Sequence, residues 1–283
     1  MTAHDLVAKV KNLPPVSQAA LKLVNLLDQP AVSNSEVVNV LKYDNVLTAK
    51  LLRACNSPYF GLTESISSVD QAVLILGHQQ ILHIVLTLAF GSAMVVPLPG
   101  YGGETKELWR HSLISATAAE VVVNDLPGLN MEMSVAFTAG LLHDIGKLVL
   151  GQALTPELQA AVHRLAEDGC ISRVEAEKEI FGTDHGEVGA ALLQSWNLPE
   201  EIVEAVANHH QPVLTPRPRL SVVTHVSNSI THLVGSLPGR DAFSSRVNDD
   251  VVKTLELNRE KLELMKTSVR EFFDRVDLLM GMA

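Results

Sequence analysis

The chain has 283 residues, 47% of them apolar and only 4% aromatic, enough for one large aliphatic core or two smaller ones, and a composition that favours helix packing over a β-sandwich. A formal charge of -10 and a pI near 5.5, with no Lys/Arg run, argue against an electrostatic footprint for nucleic acid. Two isolated cysteines, Cys55 and Cys170, fit a reducing compartment, and Met1-Thr2-Ala3-His4-Asp5 lacks the charged-then-apolar pattern of an export signal, so a cytoplasmic protein is expected.

Apolar residues recur at helical spacing almost throughout, and no stretch alternates cleanly as a strand would, so the expected fold is all-α. Pro14-Pro15 opens a first predicted helix, which runs to about Leu27 and ends at Asp28-Gln29-Pro30. Ser33 and Glu36 stand at capping-box spacing before a helix to about Leu41, and Val46 to Asn56 follows, stopped by Ser57-Pro58. Ser68 with Gln71 is a second capping box, and its helix breaks at Gly77. Residues 81–99 are almost uncharged, yet His83, Thr87, Gly91, Ser92, Pro97 and Pro99 dilute them, and a buried core helix is expected there instead of a membrane span.

Pro97 to Gly103 is the densest cluster of helix breakers and the expected subdomain boundary. The division is residues 1–100 as an N-terminal helical subdomain, 101–240 as a subdomain carrying eight of the eleven histidines, and 241–283 as a C-terminal loop and packing helix. Predicted helices beyond the boundary span about 104–124, 132–143, 156–168, 172–181, 184–196, 199–210, 218–235 and 249–280.

The chemistry concentrates in this second half. Glu107 and His111 lie at i, i+4 and so share a helix face; His143-Asp144 precedes Ile145-Gly146-Lys147; His185 stands four residues before Gly189; and His209-His210 follows. Imidazole with carboxylate suits Fe or Mn, with Zn and Ni also compatible, and a carboxylate such as Asp144 can bridge two ions. Taken singly, each of these histidines reads as easily as an ordinary helical residue, and His78, His83 and His163 are expected to bind nothing.

The order His111, then His143-Asp144, resembles the first ligands of the HD superfamily of metal-dependent phosphohydrolases. With Glu107, His185 and His209-His210 the set is similar to the two- or three-metal site of the HD-GYP branch, which cleaves cyclic dinucleotides. After His210 the chain reads Gln211-Pro212-Val213 with no Gly-Tyr-Pro, which points away from that activity. Over residues 10–235 the resemblance is to HDOD, the HD-related output domain of bacterial signalling proteins, carried by Leu13-Pro14-Pro15-Val16, Asp44, Leu51 to Ser57, Ser65 to Val69, Ala72-Val73 and Leu76-Gly77.

That resemblance implies an N-terminal helical bundle packed on an HD-type core. It also implies an output or regulatory role through signalling partners, in a monomer or homodimer, over a vestigial mono- or dinuclear metal site formed by His111, His143, Asp144, His185, His209 and His210, with Glu107 and Asn228 at its margin. The last HD ligand, an Asp, falls here at Asn228, whose neutral carbonyl is a poorer ligand; His225 and His232 flank it at i-3 and i+4. The enzyme alternative is hydrolysis of a nucleotide, cyclic dinucleotide or other phosphoester, with Asp144 and Lys147 as catalytic residues, and a metal-free helical scaffold is the second alternative.

Overall fold

A computed structural model describes residues 1–10, 16–26, 32–94, 106–168, 171–215, 219–235 and 247–273. Among these residues every regular element is a helix, as the periodicity predicts. The proposed helix start at Pro14-Pro15, the breaker cluster at 97–103, Cys170 and the end of the last predicted helix lie outside the described residues.

In the first half, α1 (Ala3–Lys9), α2 (Gln18–Leu26), α3 (Asn34–Lys42), α4 (Asn45–Cys55) and α5 (Val69–Leu76) precede α6 (His78–Met94). The expected box at α3 forms in full: Glu36 N donates to Ser33 Oγ at 3.3 Å and Ser33 N to Glu36 Oε2 at 2.8 Å. At α5 only half of it forms, because Gln71 Oε1 takes the N–H of Ser67, one residue early, at 3.0 Å. Gly77, at φ +80°, turns the chain by 119° between α5 and α6, a backbone angle at which other residues are strained. Ile81, Val85, Leu86 and Phe90 of α6 are fully buried, in keeping with a core helix.

Helices α2 to α5 pack against one another and on α6. The latter also packs on α7 (Glu107–Asp125) and α8 (Met133–Leu142), and so joins the two halves. Helix α1, which the sequence reading passed over, does not join the bundle that follows it; it lies on α9 (Gly146–Ala153) and α12 (His185–Ser195). It is capped by a Thr2/Asp5 box and buries Leu6, a single core residue, and so leaves almost no periodic signal.

In the second half α7 and α8 form the central pair, with α14 (Leu220–Leu233) against both and α13 (Glu200–Ala207) closing the side. Helix α10 (Pro156–Asp168) pairs with α11 (Arg173–Phe181). The predicted helix at 249–280 is two helices, α15 (Asp249–Thr254) and α16 (Arg259–Phe273). Glu256 at φ +50° breaks it, and Asn258 Oδ1 caps the new start by accepting from Lys261 N at 2.8 Å. Helix α16 packs on α7 and α14, burying Met265 and Val269.

Helix α9 is a further difference from the sequence reading. The segment Met133–Ala153 is long and apolar enough to cross a membrane, but 89% of its most apolar window is buried inside the protein. It divides at His143-Asp144-Ile145 into α8 and α9. Two glycines set how closely these helices approach their neighbours. A Cβ on Gly140 would stand 2.7 Å from the Ser115 carbonyl oxygen of α7, and one on Gly146 would overlap the His185 carbonyl of α12.

Candidate metal centre

The break between α8 and α9 directs His143 and Asp144 inward, α7 brings His111, α12 brings His185 in its first turn, and the end of α13 brings His209 and His210. Asp184 fixes the start of α12, its Oδ1 accepting from Glu187 N at 2.9 Å. His111, His143 and His209 are fully buried, and Asp144 and His185 are each 1% exposed. His210 is half-buried.

The ligand atoms form two groups, one of His111, His143 and Asp144 and one of His185, His209 and His210, each with its atoms within 4.8 Å of one another. Asp144 stands between them. Its Oδ2 lies 3.4 Å from His143 Nε2 and 3.6 Å from His111 Nε2, and its Oδ1 lies 3.3 Å from His185 Nε2 and 3.9 Å from His209 Nε2. Ligands about 2.1 Å from one ion are roughly 3.0–3.4 Å from each other, so the separations to His143 and His185 match a shared ion, and those to His111 and His209 are a few tenths of an ångström wider. Asn228 does reach this centre, with Oδ1 3.1 Å from His111 Nε2. Glu107, one turn before His111 on α7, is half-buried and belongs to neither group.

A shell of acceptors orients the rings. His143 Nδ1 donates to Gly140 O at 2.8 Å, His209 Nδ1 to Val206 O at 2.7 Å, and His185 Nδ1 to Glu177 Oε2 at 2.7 Å. A neutral ring whose Nδ1 donates presents the Nε2 lone pair inward, the arrangement typical of metal-binding histidines, and His185 reaches it by giving up its Nε2 proton to an incoming cation. Glu177 escaped the sequence reading, although a signal was available: Val174, Glu177 and Phe181 are spaced as one helix face, and a carboxylate on a core-facing position needs a buried partner. His225 is a partner of this shell and not a substitute ligand. Its Nδ1 donates to His209 O at 2.8 Å and its Nε2 accepts from Asn248 N at 3.0 Å, so both nitrogens are engaged.

Burial lowers the pKa of His111, His209 and His210 well below the ordinary imidazole value, which keeps them neutral and available as ligands. For His185 burial acts in the same direction, but Glu177 and the nearby Asp144 outweigh it and raise the pKa to about 9. Burial would raise Asp144; His143 and Lys147 hold it well below the carboxylate range instead. Lys147 Nζ donates to Asp144 Oδ2 at 2.7 Å and is itself only 6% exposed.

The fold and the centre together define an all-helical protein built around buried histidine–aspartate ligand groups. The chain belongs to the HDOD domain family, whose pattern it matches over residues 13–212. An uncharacterized protein of Treponema pallidum (strain Nichols) is 24% identical over 248 residues, 83% of this chain and 45% of that protein, so the chain spans less than half of that relative.

Among solved structures, an HDOD domain protein of unknown function from Geobacter sulfurreducens superposes with a TM-score of 0.71 at 26% identity, covering 99% of this chain and 95% of that one. A protein of Marinobacter aquaeolei VT8, provisionally assigned to signal transduction, gives 0.79 at 21% identity over 100% of this chain and 61% of its own. A provisionally assigned phosphohydrolase of Shewanella amazonensis SB2B gives 0.69 at 24% identity, covering 98% and 95%. At these identities the last two likenesses are of fold alone.

Proposed function

We propose that this chain is a signal-transduction output module that acts through protein partners, and that its histidine–aspartate centre holds a divalent transition metal, Fe or Mn before Zn or Ni, as a staple between helices. The observation that carries this reading is burial. Asp144 is 1% exposed and His111, His143 and His209 are fully buried, so a phosphoester would have to reach a carboxylate enclosed by its own ligands. An ion bound there would link α7, the α8–α9 turn, α12 and the end of α13, and its binding free energy would be folding free energy.

The residues fit a cation. His209 Nε2 and Asp144 Oδ1 are buried with no hydrogen-bond partner, and leaving such an atom unsatisfied costs about 1–3 kcal/mol. His111, His143, Asp144, His185, His209 and His210 are the residues that would hold it, with Asn228 contributing a neutral oxygen. In an enzyme, a metal would supply an activated water for phosphoester hydrolysis. In this chain Lys147 is committed to Asp144 at 2.7 Å, instead of standing open to a phosphate.

The test is hydrolysis of cyclic dinucleotides, nucleotides and a generic phosphodiester by the purified chain with Mn(II) or Fe(II), beside Asp144→Ala. Bound metal with no turnover above the variant is the expected result. Appreciable hydrolysis abolished in Asp144→Ala would establish the phosphohydrolase instead, and an absence of retained metal would leave a metal-free helical scaffold.

A further inference from the structure

Helix α1 stands apart from the bundle that follows it and touches the second half at three places that support the metal centre. It packs on α12, whose first turn carries His185, and on α9, which starts two residues after Asp144. Met1 N donates to Phe181 O at 3.4 Å, at the end of α11 and midway in sequence between Glu177 and His185. Leu6 is fully buried, and Ala3, Val7 and Val10 line the same side of the helix, partly buried against the core.

The elements that α1 touches set the spacing of His185 from Asp144. Helices α9 and α12 meet at Gly146, where a Cβ would overlap the His185 carbonyl, and a Cβ on Gly189 of α12 would stand 3.2 Å from Gly146 N. Glycines bury little apolar surface, so this crossing depends on the side chains packed around it, and Leu6 is one that α1 supplies. The start of α12 is tied to its neighbours by hydrogen bonds from His185 N to Glu177 Oε2 at 2.9 Å and from Glu187 N to Asp184 Oδ1 at 2.9 Å. A shift of α12 would therefore be felt at Glu177 as well as at Asp144.

Helix α1 is also weakly committed to its place. Seven residues fall well short of the length at which a helix is stable by itself, so α1 is helical because it is docked. One of its side chains is fully buried, and segments with few buried apolar contacts open at the low end of the stability range. The helix lies outside residues 13–212, the stretch that matches the family pattern.

We propose that α1 is a releasable strap: docked, it holds α9 and α12 together and keeps His185 at Asp144; lifted, it lets α12 shift and loosens the grip on the ion. Capture of the apolar side of α1 would then change metal retention without entering the centre. The strap is independent of the metal, its effect on an ion rests on the metal reading proposed above, and Leu6 acts in it as a positioning residue.

The experiment compares the full-length wild type with Leu6→Ala, Leu6→Met and Val37→Ala. Amide exchange in the chelator-stripped proteins reads the strap without metal, at His185, Glu187 and Val188, whose N–H groups bond to Glu177 and Asp184. Release of Co(II) to excess chelator, followed by loss of d–d absorption, reads the centre. Leu6→Ala should quicken both, with Co(II) release about 10-fold faster, the lower end for residues that support ligands from outside. Leu6→Met keeps the buried volume and should stay within about twofold of the wild type. Val37→Ala removes a buried side chain from α3, in the first-half bundle, and should leave both rates unchanged although it costs stability. Exchange that keeps the wild-type rate in Leu6→Ala overturns the strap. Exchange that quickens while Co(II) release does not overturns its hold on the centre. Equal acceleration in Val37→Ala makes the effect one of general stability and overturns the proposal too. A wild-type chain that binds no Co(II) overturns the metal reading, and the exchange rates then still decide whether the strap exists.

Discussion

Glu177 accepts two hydrogen bonds from His185, one from its backbone N at 2.9 Å and one from its ring Nδ1 at 2.7 Å. One carboxylate thereby fixes both the start of α12 and the direction in which the imidazole presents Nε2. Glu177→Gln keeps an acceptor and loses the charge, so metal affinity should fall about 10-fold; Glu177→Ala should lose about 100-fold, the range typical of such outer partners. Competition with a chelator of known affinity measures both. Equal affinity in all three proteins would remove Glu177 from the centre.

Gly146 lets α9 begin directly against α12. A methyl group there would overlap the His185 carbonyl, and the atoms it meets are backbone, which cannot rotate aside. Gly146→Ala should cost about 3 kcal/mol or more, at the upper end of overpacking, with an early midpoint in urea unfolding. A midpoint matching the wild type would show that the two helices can separate freely.

His225 ties His209 to Asn248, the residue before α15. Its replacement by Ala leaves the His209 carbonyl and the Asn248 N–H to seek other partners, at a cost of about 1–3 kcal/mol. Amide exchange at residues 248–252 and chelator release of metal should both accelerate. Faster exchange at 248–252 with metal release unchanged would show that this link does not reach the ligands.

Glu120 of α7 and His83 of α6 meet at the joint between the halves, with Glu120 Oε1 3.5 Å from His83 Nε2 and the His83 ring stacked on Phe137 of α8 at 4.0 Å. Burial raises the Glu120 pKa to about 7, against about 4.3 for an unfolded glutamate. A raised folded pKa means stability that is complete below about pH 4.3 and is lost as pH rises through about 7. Burial lowers His83 to about 4, which has the opposite sign, its stability being lost as pH falls; His83 is retained in Glu120→Gln, so its own loss is common to both proteins. Glu120→Gln should therefore gain on the wild type between about pH 5 and pH 8, by about 1 kcal/mol after allowance for the partial exposure of the carboxyl. Parallel stability curves across that range would contradict the shift.

The sequence by itself determined the residue types of the centre and the all-helical class. His111, His143-Asp144, His185 and His209-His210 were legible because ligand identity and motif order are local properties of the chain. The cap at Ser33 was legible because a hydroxyl and a carboxylate three residues apart satisfy the same two N–H groups wherever they occur. Helix α1 was not, because a seven-residue helix burying only Leu6 is stabilised by the surface of α9 and α12 and not by its own pattern.

Only the tertiary structure decided which nitrogen each histidine turns inward, because the acceptor that fixes a ring is supplied by the surrounding fold: Glu177 on α11 for His185, backbone carbonyls for His143 and His209, and none for His111 Nδ1. A histidine's place in the sequence states that it can bind a metal. Whether its lone pair is free to do so depends on partners that only folding brings within about 3 Å.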